Sequence, residues 1–292
     1  MFALAGAMAT FSINDMLMKL TAQRYPLGEV ITVRGIRASV LVGGCLIAMG
    51  HLTHLRAAVQ PLVLTRTAFD GAAMVLFTTA LIHMPLAELS AINLVSPLMI
   101  TALAVIFFAE EVGWRRWTAI FIGFIGTLFI VKPTAGNFNA WALLGLCCSF
   151  AAATRDIVTR QLDPRIPTLV ISLMAAIGSA VIGFVMSLFE DWQPMSIEDI
   201  GLLAISAACV GIGHFLIVIA FRGVDVASIA PFRYTLLIWA CVCGYLAFGE
   251  VPDRYAILGS MLIVGSGLYA LHREVVRQRT IAADVPPGEP GA

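Results

Sequence analysis

Charged and polar residues that could do chemistry stand inside long apolar runs of this chain. Arg233 and Tyr234 follow Pro231 within the apolar stretch 213–250. A guanidinium at membrane depth costs about 2.5 to 3.5 kcal/mol on insertion scales, so it is kept where it faces protein or a wet cavity. Its planar fork suits a carboxylate or a phosphate. The pattern therefore predicts a polar path through an apolar environment, with Arg233 and Tyr234 binding the substrate.

Three further ionisable residues lie in the apolar runs nearer the N-terminus. Arg34 and Arg37 stand one helical turn apart, and each could contact a substrate or tether neighbouring helices. Asp70 follows Arg66 at the i, i+4 spacing of one helix face. A carboxylate this deep needs a partner or a bound cation or proton. Asp70 is thus either part of a pair that fixes its helix or a functional carboxylate.

Several uncertain polar positions complete the candidate cavity. Asp15 and Lys19 share a helix face at i, i+4 spacing, which predicts either a hydrated end pair or a gating pair. Asn14 and Asn93 could contact a substrate or form hydrogen bonds between helices. His214 could relay a proton or be a satisfied buried imidazole. All five are candidate site residues.

Signals for an enzyme, a metal site or a cofactor are missing from the sequence. His51 and His54 have a metal-like spacing, but no third ligand stands near them. The metalloprotease, nucleophile-elbow and Walker A motifs are absent. Lysine plus arginine equals aspartate plus glutamate at 18 each, so nothing indicates a nucleic-acid partner. We expect no catalytic residue, no metal and no cofactor.

Composition defines the elements that must position these residues. Hydrophobic residues make up 60% of the chain and charged residues 12%, whereas a soluble domain carries about 25% charged residues. The fold class is therefore an all-α integral membrane protein, since about 20 helical residues cross a bilayer. Ten apolar runs are predicted to span it, at about 2–20, 28–49, 62–82, 87–108, 117–132, 140–159, 167–189, 199–221, 226–248 and 255–271.

The sequence also contains an internal repeat. A shift of about 140 residues aligns Asp15 with Asp156, Lys19 with Arg160, and the pair 111–112 with 250–251. We therefore expect two repeats of five helices, at 1–133 and 134–274, and a disordered tail at 275–292. Because five is odd, the second repeat enters the membrane in the opposite orientation, which makes it an inverted repeat.

Basic residues in the connections predict the orientation. If the N-terminus is cytoplasmic, the outside connections hold Lys19, Arg24, Lys132 and Arg254. The inside ones hold Arg56, Arg66, Arg115, Arg116, Arg155, Arg160, Arg165, Arg222, Arg273, Arg277 and Arg279. Because basic residues accumulate on the cytoplasmic side, we expect both termini in the cytoplasm.

Three segments show a family resemblance. They are Ala-Pro-Phe-Arg-Tyr at 230–234, the segment 244–252 and the glycine-rich segment 259–269. Together they resemble the EamA-type members of the drug/metabolite transporter superfamily, and the likeness extends to about residue 274. It implies a ten-helix bundle of two inverted halves around a central cavity that works by alternating access. It also marks Arg34 as a typical position, and Glu111 and Glu250 as family markers with an anchoring role.

The sequence predicts a secondary carrier of the inner (plasma) membrane for a small polar metabolite that is amino-acid-, nucleoside- or vitamin-like. The arginines favour an anionic or zwitterionic substrate, and Asp70 could meet an amine. Alternatives are a multidrug or metabolite exporter of broad specificity and, more remotely, a membrane-embedded enzyme. Expected partners are the substrate, the lipid bilayer, a proton or cation as coupling ion, and a second copy in a homodimer.

Overall fold

The computed structural model describes residues 2–50, 55, 58–108, 113–132, 139–163, 165–221 and 230–283. The regular elements of these ranges are helices, which confirms the all-α prediction for this part of the chain. They are α1 (Phe2–Ala22), α2 (Leu27–Ala48), α3 (Pro61–His83), α4 (Leu86–Asn93), α5 (Ser96–Phe108), α6 (Trp114–Val131), α7 (Ala140–Thr159), α8 (Thr168–Ser187), α9 (Ile197–Phe221), a 3₁₀ helix (Ala230–Tyr234), α10 (Thr235–Phe248) and α11 (Arg254–Ala283).

Proline marks the beginning of four helices. Pro26, Pro85 and Pro167 directly precede α2, α4 and α8, and Pro61 is the first residue of α3. The fixed φ of proline suits the start of a helix, where its missing N–H would have no intrahelical partner. α10 ends at Gly249, whose φ of 65° is left-handed and stops the helix.

The predicted run 87–108 is broken in its middle. α4 ends at Asn93 and α5 begins at Ser96, directly before Pro97, which has no N–H to continue the helix. The Ser149 hydroxyl of α7 donates to the Ile92 carbonyl at 3.2 Å, next to the break. The span is therefore two helices whose junction is docked on α7.

Six helical spans of the described chain are long and apolar enough to cross a membrane. They are Leu27–Ala48, Leu86–Phe108, Ala140–Thr159, Thr168–Ser187, Ile197–Ile217 and Arg254–Arg273, and shorter apolar helices cover Trp117–Val131 and Phe232–Phe248. These confirm a multi-pass membrane protein. α1 and α3 are not among the six. They contain Asp15, Lys19, Arg66 and Asp70, and such residues lower the mean hydropathy of a helix that lines a polar path.

The bundle is assembled from four close helix pairs, α1 with α9, α2 with α8, α3 with α7 and α6 with α11. Glycines allow backbones to touch. A Cβ on Gly35 would lie 2.6 Å from the Ala180 nitrogen, and one on Gly126 would lie 2.7 Å from the Gly259 carbonyl oxygen. These glycines therefore let α2 pack closely on α8 and α6 on α11.

α4 is the most enclosed helix of the bundle. Leu86, Leu89 and Ile92 have no exposed surface, and they join the largest hydrophobic core cluster together with residues of α1, α3, α7 and α10. Burying each large aliphatic side chain stabilises the fold by about 1.5 to 3 kcal/mol relative to an exposed one. α4 therefore fixes the relative positions of the helices that surround it.

α11 extends further than predicted. It continues to Ala283, past residue 274 where the disordered tail was expected to begin. The physical reason is local, since 273–283 contains no glycine or proline and is rich in arginine, alanine and other helix-compatible residues. Residues 284–292 lie outside the described ranges.

Candidate functional site

Asp15 of α1 is held by a short polar chain that begins on α9. The Ser206 hydroxyl donates to the Asn14 side-chain oxygen at 2.7 Å, and the Asn14 amide nitrogen donates to Asp15 Oδ1 at 2.9 Å. Because Ser206 occupies the oxygen of Asn14, the amide presents its N–H groups to the carboxylate. Asp15 Oδ2 has no hydrogen-bond partner among the described residues.

Arg34 projects from α2 towards the same region. The charges that act most strongly on its guanidinium are those of Asp15 and Asp70, which belong to α1 and α3. Its side chain is partly exposed, and within the described ranges it forms neither an ion pair nor a hydrogen bond. A guanidinium has five N–H donors. Among apolar helices these donors need water or a ligand as partners.

Asp70 of α3 is paired on both oxygens. Arg155 of α7 donates to Oδ1 at 2.8 Å, and Arg66 approaches Oδ2 at 3.8 Å. Arg155 also contacts Asp156 at 2.8 Å. These contacts favour the pairing interpretation of Asp70 over a free functional carboxylate. Sequence reasoning missed Arg155 as its partner, although the alignment of Asp15 with Asp156 marked this position.

We name these eight residues the central charge cluster: Asn14, Asp15, Arg34, Arg66, Asp70, Arg155, Asp156 and Ser206. Its members come from α1, α2, α3, α7 and α9, so they converge from different sides of the bundle. The side chains of Asp70 and Arg155 are 24% and 28% exposed, although each is packed within a helix pair. These two side chains are therefore partly accessible to solvent.

The cluster has the same local pattern at two places in the chain. In α1 the Asn14 amide donates to Asp15, and in α7 the Arg155 guanidinium donates to Asp156. Asn14 then contacts Ser206 of α9, and Arg155 contacts Asp70 of α3. In both places the donor residue also contacts the partner helix: α1 is joined to α9, and α7 is joined to α3. The donor on α1 is the neutral Asn14 amide, whereas the donor on α7 is the charged Arg155 guanidinium.

A second polar assembly closes the end of the bundle where α1 finishes. Lys19 Nζ forms an ion pair with Glu250 Oε1 and donates to the Met84 carbonyl at 2.7 Å. The other Glu250 oxygen accepts from the Leu86 N–H at 2.8 Å. We name Lys19, Met84, Leu86 and Glu250 the end latch. It joins α1, the start of α4 and the α10–α11 connection, which agrees with the predicted anchoring role of Glu250.

The end latch corrects the predicted pair of Asp15 and Lys19. Lys19 pairs with Glu250, and Asp15 turns to Asn14, because Lys19 lies at the helix end where α10 and α11 meet. Lys19 also lies over the Phe248 ring at 4.8 Å, and Arg160, its partner in the repeat, lies over Phe108 at 5.4 Å. The two positions therefore have matching cation–π contacts.

Other predicted site residues have different surroundings. Arg37 donates to the Ile200 carbonyl at 2.8 Å, so it tethers α2 to α9. Asn93 accepts a long hydrogen bond of 3.4 Å from the Ser96 hydroxyl beside the α4–α5 junction. His214 belongs to α9, but its side chain lies outside what the structure describes. The structure does not describe four further residues named in the sequence analysis, which are His51, His54, Glu111 and Arg222.

Arg233 and Tyr234 form no hydrogen bond or ion pair with the central charge cluster in the described part of the chain. Both lie in the 3₁₀ helix before α10 and not two turns into a helix, since Pro231 interrupts regular hydrogen bonding there. Arg233 is exposed. Tyr234 is buried with its hydroxyl unpartnered, and a Cβ on Gly267 would overlap that hydroxyl. Tyr234 therefore packs onto α11 as a core residue.

Two apolar grooves on the described surface lie away from the cluster. One of about 440 Å³ runs between α4, α10 and α11, with walls that include Leu237, Ile257 and Met261. The other, of about 650 Å³, follows Trp117, Phe121 and neighbouring residues of α6. Apolar walls of this kind match lipid chains, whereas a polar substrate matches the charged interior.

A helical bundle with several apolar spans and charged side chains between its helices defines a polytopic membrane protein. The model of the EamA-like transporter family matches residues 1–132 and, a second time, residues 139–271. The chain belongs to the EamA-like transporter family. The resemblance found in the sequence is therefore confirmed, and the family is one of transporters and not of enzymes.

Curated relatives of similar length are transporters. An S-adenosylmethionine uptake transporter of Rickettsia bellii is 26% identical over 92% of this chain and 91% of its own length. A pseudopaline exporter, CntI, of Pseudomonas aeruginosa is 25% identical over 87% of this chain and 89% of its own length. A solved crystal structure superposes with a TM-score of 0.63 at 16% identity, covering 94% of this chain and 97% of that chain, which shows the shared fold.

Proposed function

We propose that this chain is a secondary carrier that moves a small polar metabolite across the inner membrane by alternating access. The observation that carries the proposal is the guanidinium of Arg34, which has no ion pair or hydrogen bond with the described residues and is acted on by the charges of Asp15 and Asp70, in a bundle of apolar helices. A purely structural bundle gains nothing from an unpaired charge at this depth, whereas a carrier needs a polar binding group there.

The helix pairs support an arrangement of ten spans in two inverted repeats. If α1, α2, α3, α4 with α5, and α6 form one repeat, then α7, α8, α9, α10 and α11 form the other. α1 packs on α9 and α7 on α3, while α2 packs on α8 and α6 on α11. If each helix is replaced by its equivalent in the other repeat, the α1–α9 pair becomes the α7–α3 pair, and the α2–α8 and α6–α11 pairs are each mapped onto themselves. The two separate matches of the family model, at 1–132 and 139–271, favour the same division.

The proposed topology has both termini in the cytoplasm. Arg66 and Arg155 lie in the central charge cluster and Lys19 in the end latch, so these three do not count as connection residues. Removing them leaves the excess of basic residues on the same side. The end latch then lies at the outer face, and its contacts close the path there.

The energy source is a gradient or the exchange of substrates, since the sequence contains no Walker A motif. In the alternating cycle, substrate binding at the cluster would compete with contacts between the two repeats, and the end latch would open and close once per cycle. The relatives include both an uptake transporter and an exporter. Direction is therefore decided by measuring uptake and efflux in the same vesicles.

A homodimer is part of the proposal, and α6 offers the surface for it. Trp114, Trp117 and Phe121 are exposed along one side of this helix. Exposed aromatic side chains of a span face lipid or a second copy. The mass of the purified protein in detergent, measured by light scattering, distinguishes a dimer from a monomer.

The test of the carrier proposal compares Arg34→Gln with Arg34→Lys in proteoliposomes that contain the purified chain. We expect Arg34→Gln to lower metabolite flux by about tenfold or more, because a charged hydrogen bond contributes about 1.5 to 3 kcal/mol. Arg34→Lys keeps the charge without the planar fork and should retain part of the flux. Arg165→Gln, an exposed arginine of a connection, is the matched control. Full flux in Arg34→Gln would refute the proposal.

A further inference from the structure

We propose that the groove between α4, α10 and α11 binds a phospholipid with a primary-amine head, such as phosphatidylethanolamine. The carboxylate of Glu88 accepts from the lipid ammonium, and the apolar walls of the groove hold an acyl chain. The proposal requires only that the chain is embedded in a bilayer, so it is independent of the carrier proposal.

Glu88 is a buried carboxylate without a partner. It is 7% exposed, and within the described part of the chain it forms neither a hydrogen bond nor an ion pair. Lys132, whose charge acts on Glu88, is paired with Asp253. Lys19 is paired with Glu250 in the end latch. An unpaired buried carboxylate is costly, and a bound ammonium removes this cost.

The place of Glu88 in α4 does not explain it as a helix cap. A glutamate at the third position of a helix often accepts from the backbone N–H of the residue before the helix. Here that residue is Pro85, which has no N–H. The next N–H, that of Leu86, donates to Glu250. The carboxylate of Glu88 is therefore available to a ligand.

The groove begins at the end of the bundle and descends along α11. Glu88 and Pro252 line it, and they lie in the first turn of α4 and in the connection before α11. Further along, Ala256 and Gly265 line it as well. From Ala256 to Gly265 an α-helix rises about 14 Å. Because the hydrocarbon core is about 30 Å thick, the groove has the length of the acyl chains of one leaflet.

The walls of the groove identify its occupant as a lipid. They include Ile257 and Met261, which are exposed apolar side chains of a span and therefore face hydrocarbon. At the deep end, a Cβ on Gly265 would meet no described atom within 4 Å, so this part of the groove is open. A polar metabolite would leave its polar groups unpaired against such walls. A lipid brings an acyl chain to the walls and a polar head to Glu88.

A primary ammonium matches Glu88 better than other common lipid heads. It combines a positive charge with three N–H donors, so its hydrogen bonds to a carboxylate are charge-assisted. The quaternary ammonium of phosphatidylcholine has the charge but no N–H donor. The head of phosphatidylglycerol is anionic, and a carboxylate repels it. The expected order of affinity is therefore phosphatidylethanolamine, phosphatidylcholine and phosphatidylglycerol.

The experiment is native mass spectrometry of the purified full chain with an equimolar mixture of these three lipids, which have identical acyl chains. We expect the protein to retain about tenfold more phosphatidylethanolamine than phosphatidylglycerol. Glu88→Gln keeps the size of the side chain and removes its charge, so it should abolish this preference. Glu198→Gln, an exposed glutamate in the first turn of α9, is the matched control and should keep it.

A second variant tests the acyl chain. Gly265→Leu fills the deep end of the groove and should lower the retention of phosphatidylethanolamine about tenfold. Gly44→Leu is the matched control, since Gly44 is also exposed on a helix and a Cβ there would also meet no described atom within 4 Å. It should retain the lipid as the parent does.

Several outcomes would overturn the proposal. One is equal retention of the three lipids, and another is a preference that survives Glu88→Gln. Binding of dodecylamine without binding of phosphatidylethanolamine would assign the groove to single-chain amines. A dimer that Gly265→Leu converts to a monomer, with no lipid preference, would assign it to a second copy. A marked loss of melting temperature in lipid-free Glu88→Gln would show that the carboxylate is paired within the chain.

Discussion

Arg66 is an incompletely satisfied residue of the central charge cluster. Its Nε and Nη1 atoms are buried without a hydrogen bond, and Asp70 at 3.8 Å is its nearest acidic partner by ion-pair geometry. Asp70 therefore compensates two guanidiniums, those of Arg66 and Arg155. Buried charges of this kind are tolerated because their partner is present, so removing the partner is more damaging than the pair is stabilising.

Asp70→Asn should destabilise the protein. The amide keeps the size of the side chain but leaves Arg66 and Arg155 without their shared anion, and we expect a loss of about 1 to 3 kcal/mol. The melting temperature in detergent measures it, with Asp163→Asn as the control. A variant that melts normally but no longer responds to the proton gradient would instead make Asp70 the coupling residue.

Sequence reasoning found much of the cluster and missed its partners for physical reasons. Asp15, Arg34 and Asp70 were visible because a charge inside an apolar run is costly and therefore informative. Arg155 and Asp156 stand near the end of a run, where charges are ordinary. Ser206 is small and uncharged, so nothing in its own helix distinguishes it from a packing residue. Arg233 was favoured because hydropathy does not reveal a 3₁₀ segment.

At the scale of elements, the end latch joins α1, the start of α4 and the α10–α11 connection through the side chains of Lys19 and Glu250. Glu250→Gln keeps an oxygen that can accept from the Leu86 N–H, but it loses the ion pair with Lys19. We expect this variant to open the latch end more often, by about fivefold or more for a loss near 1 kcal/mol. A Ser206→Cys reporter, in a chain whose six native cysteines are replaced, should then react faster with a charged maleimide added outside.

The control for the latch is Arg254→Gln at the same end, since Arg254 is exposed and lies outside the latch. Its labelling rate should equal that of the parent reporter. Equal labelling of the Glu250→Gln reporter and its parent would show that the ion pair does not restrict access.

A second contact at this end connects α6 with α11. Asp253 accepts from Lys132 and also caps α11 by accepting from the Ala256 N–H at 2.8 Å. The hydrogen bond from the Lys132 ammonium holds the pKa of Asp253 below its usual range. A lowered pKa means that the ion pair contributes stability above the unfolded pKa of about 3.9. The contribution is lost as the pH falls through the lower, folded pKa.

Asp253→Asn should therefore lower the melting temperature slightly at neutral pH, and the difference from the parent should shrink as the pH falls through the folded pKa of Asp253. Asparagine still caps a helix, so Asp253→Ala should cost about 1 kcal/mol more. Because the pair is exposed, high salt should reduce the effect of Asp253→Asn. Equal melting of the Asn and Ala variants would contradict the capping role.

At the scale of the whole molecule, the proposed topology follows from the inverted repeats. A reporter fused after Ala283 should indicate the cytoplasm, and one inserted at 191–195, between α8 and α9, should indicate the outside. Both positions avoid the interior of helices. A cytoplasmic signal from 191–195 together with one from Ala283 would contradict the odd number of spans that the repeat requires.

The overall architecture was more predictable than its details. Apolar runs located the helices, because the length of a span acts locally. The division of the fourth span at Asn93 and the extension of α11 to Ala283 were not predicted. The division lies beside Pro97 and is docked on Ser149 of α7, a contact that the sequence does not show. The extension is a polar helix, which hydropathy does not detect.

The glycine contacts described above have a consequence for motion. α6 and α11 touch at Gly126 and Gly259, and α2 and α8 touch at Gly35 and Ala180, with backbone atoms nearly in contact. Such surfaces leave no space for side chains that could rearrange, so neither pair can slide without losing its whole contact. In the proposed arrangement of inverted repeats, they are the two pairs that each join equivalent helices. In alternating access, these two pairs would then stay fixed. The helices that rotate relative to them would be α1 with α9 and α3 with α7, which contain the ionisable groups.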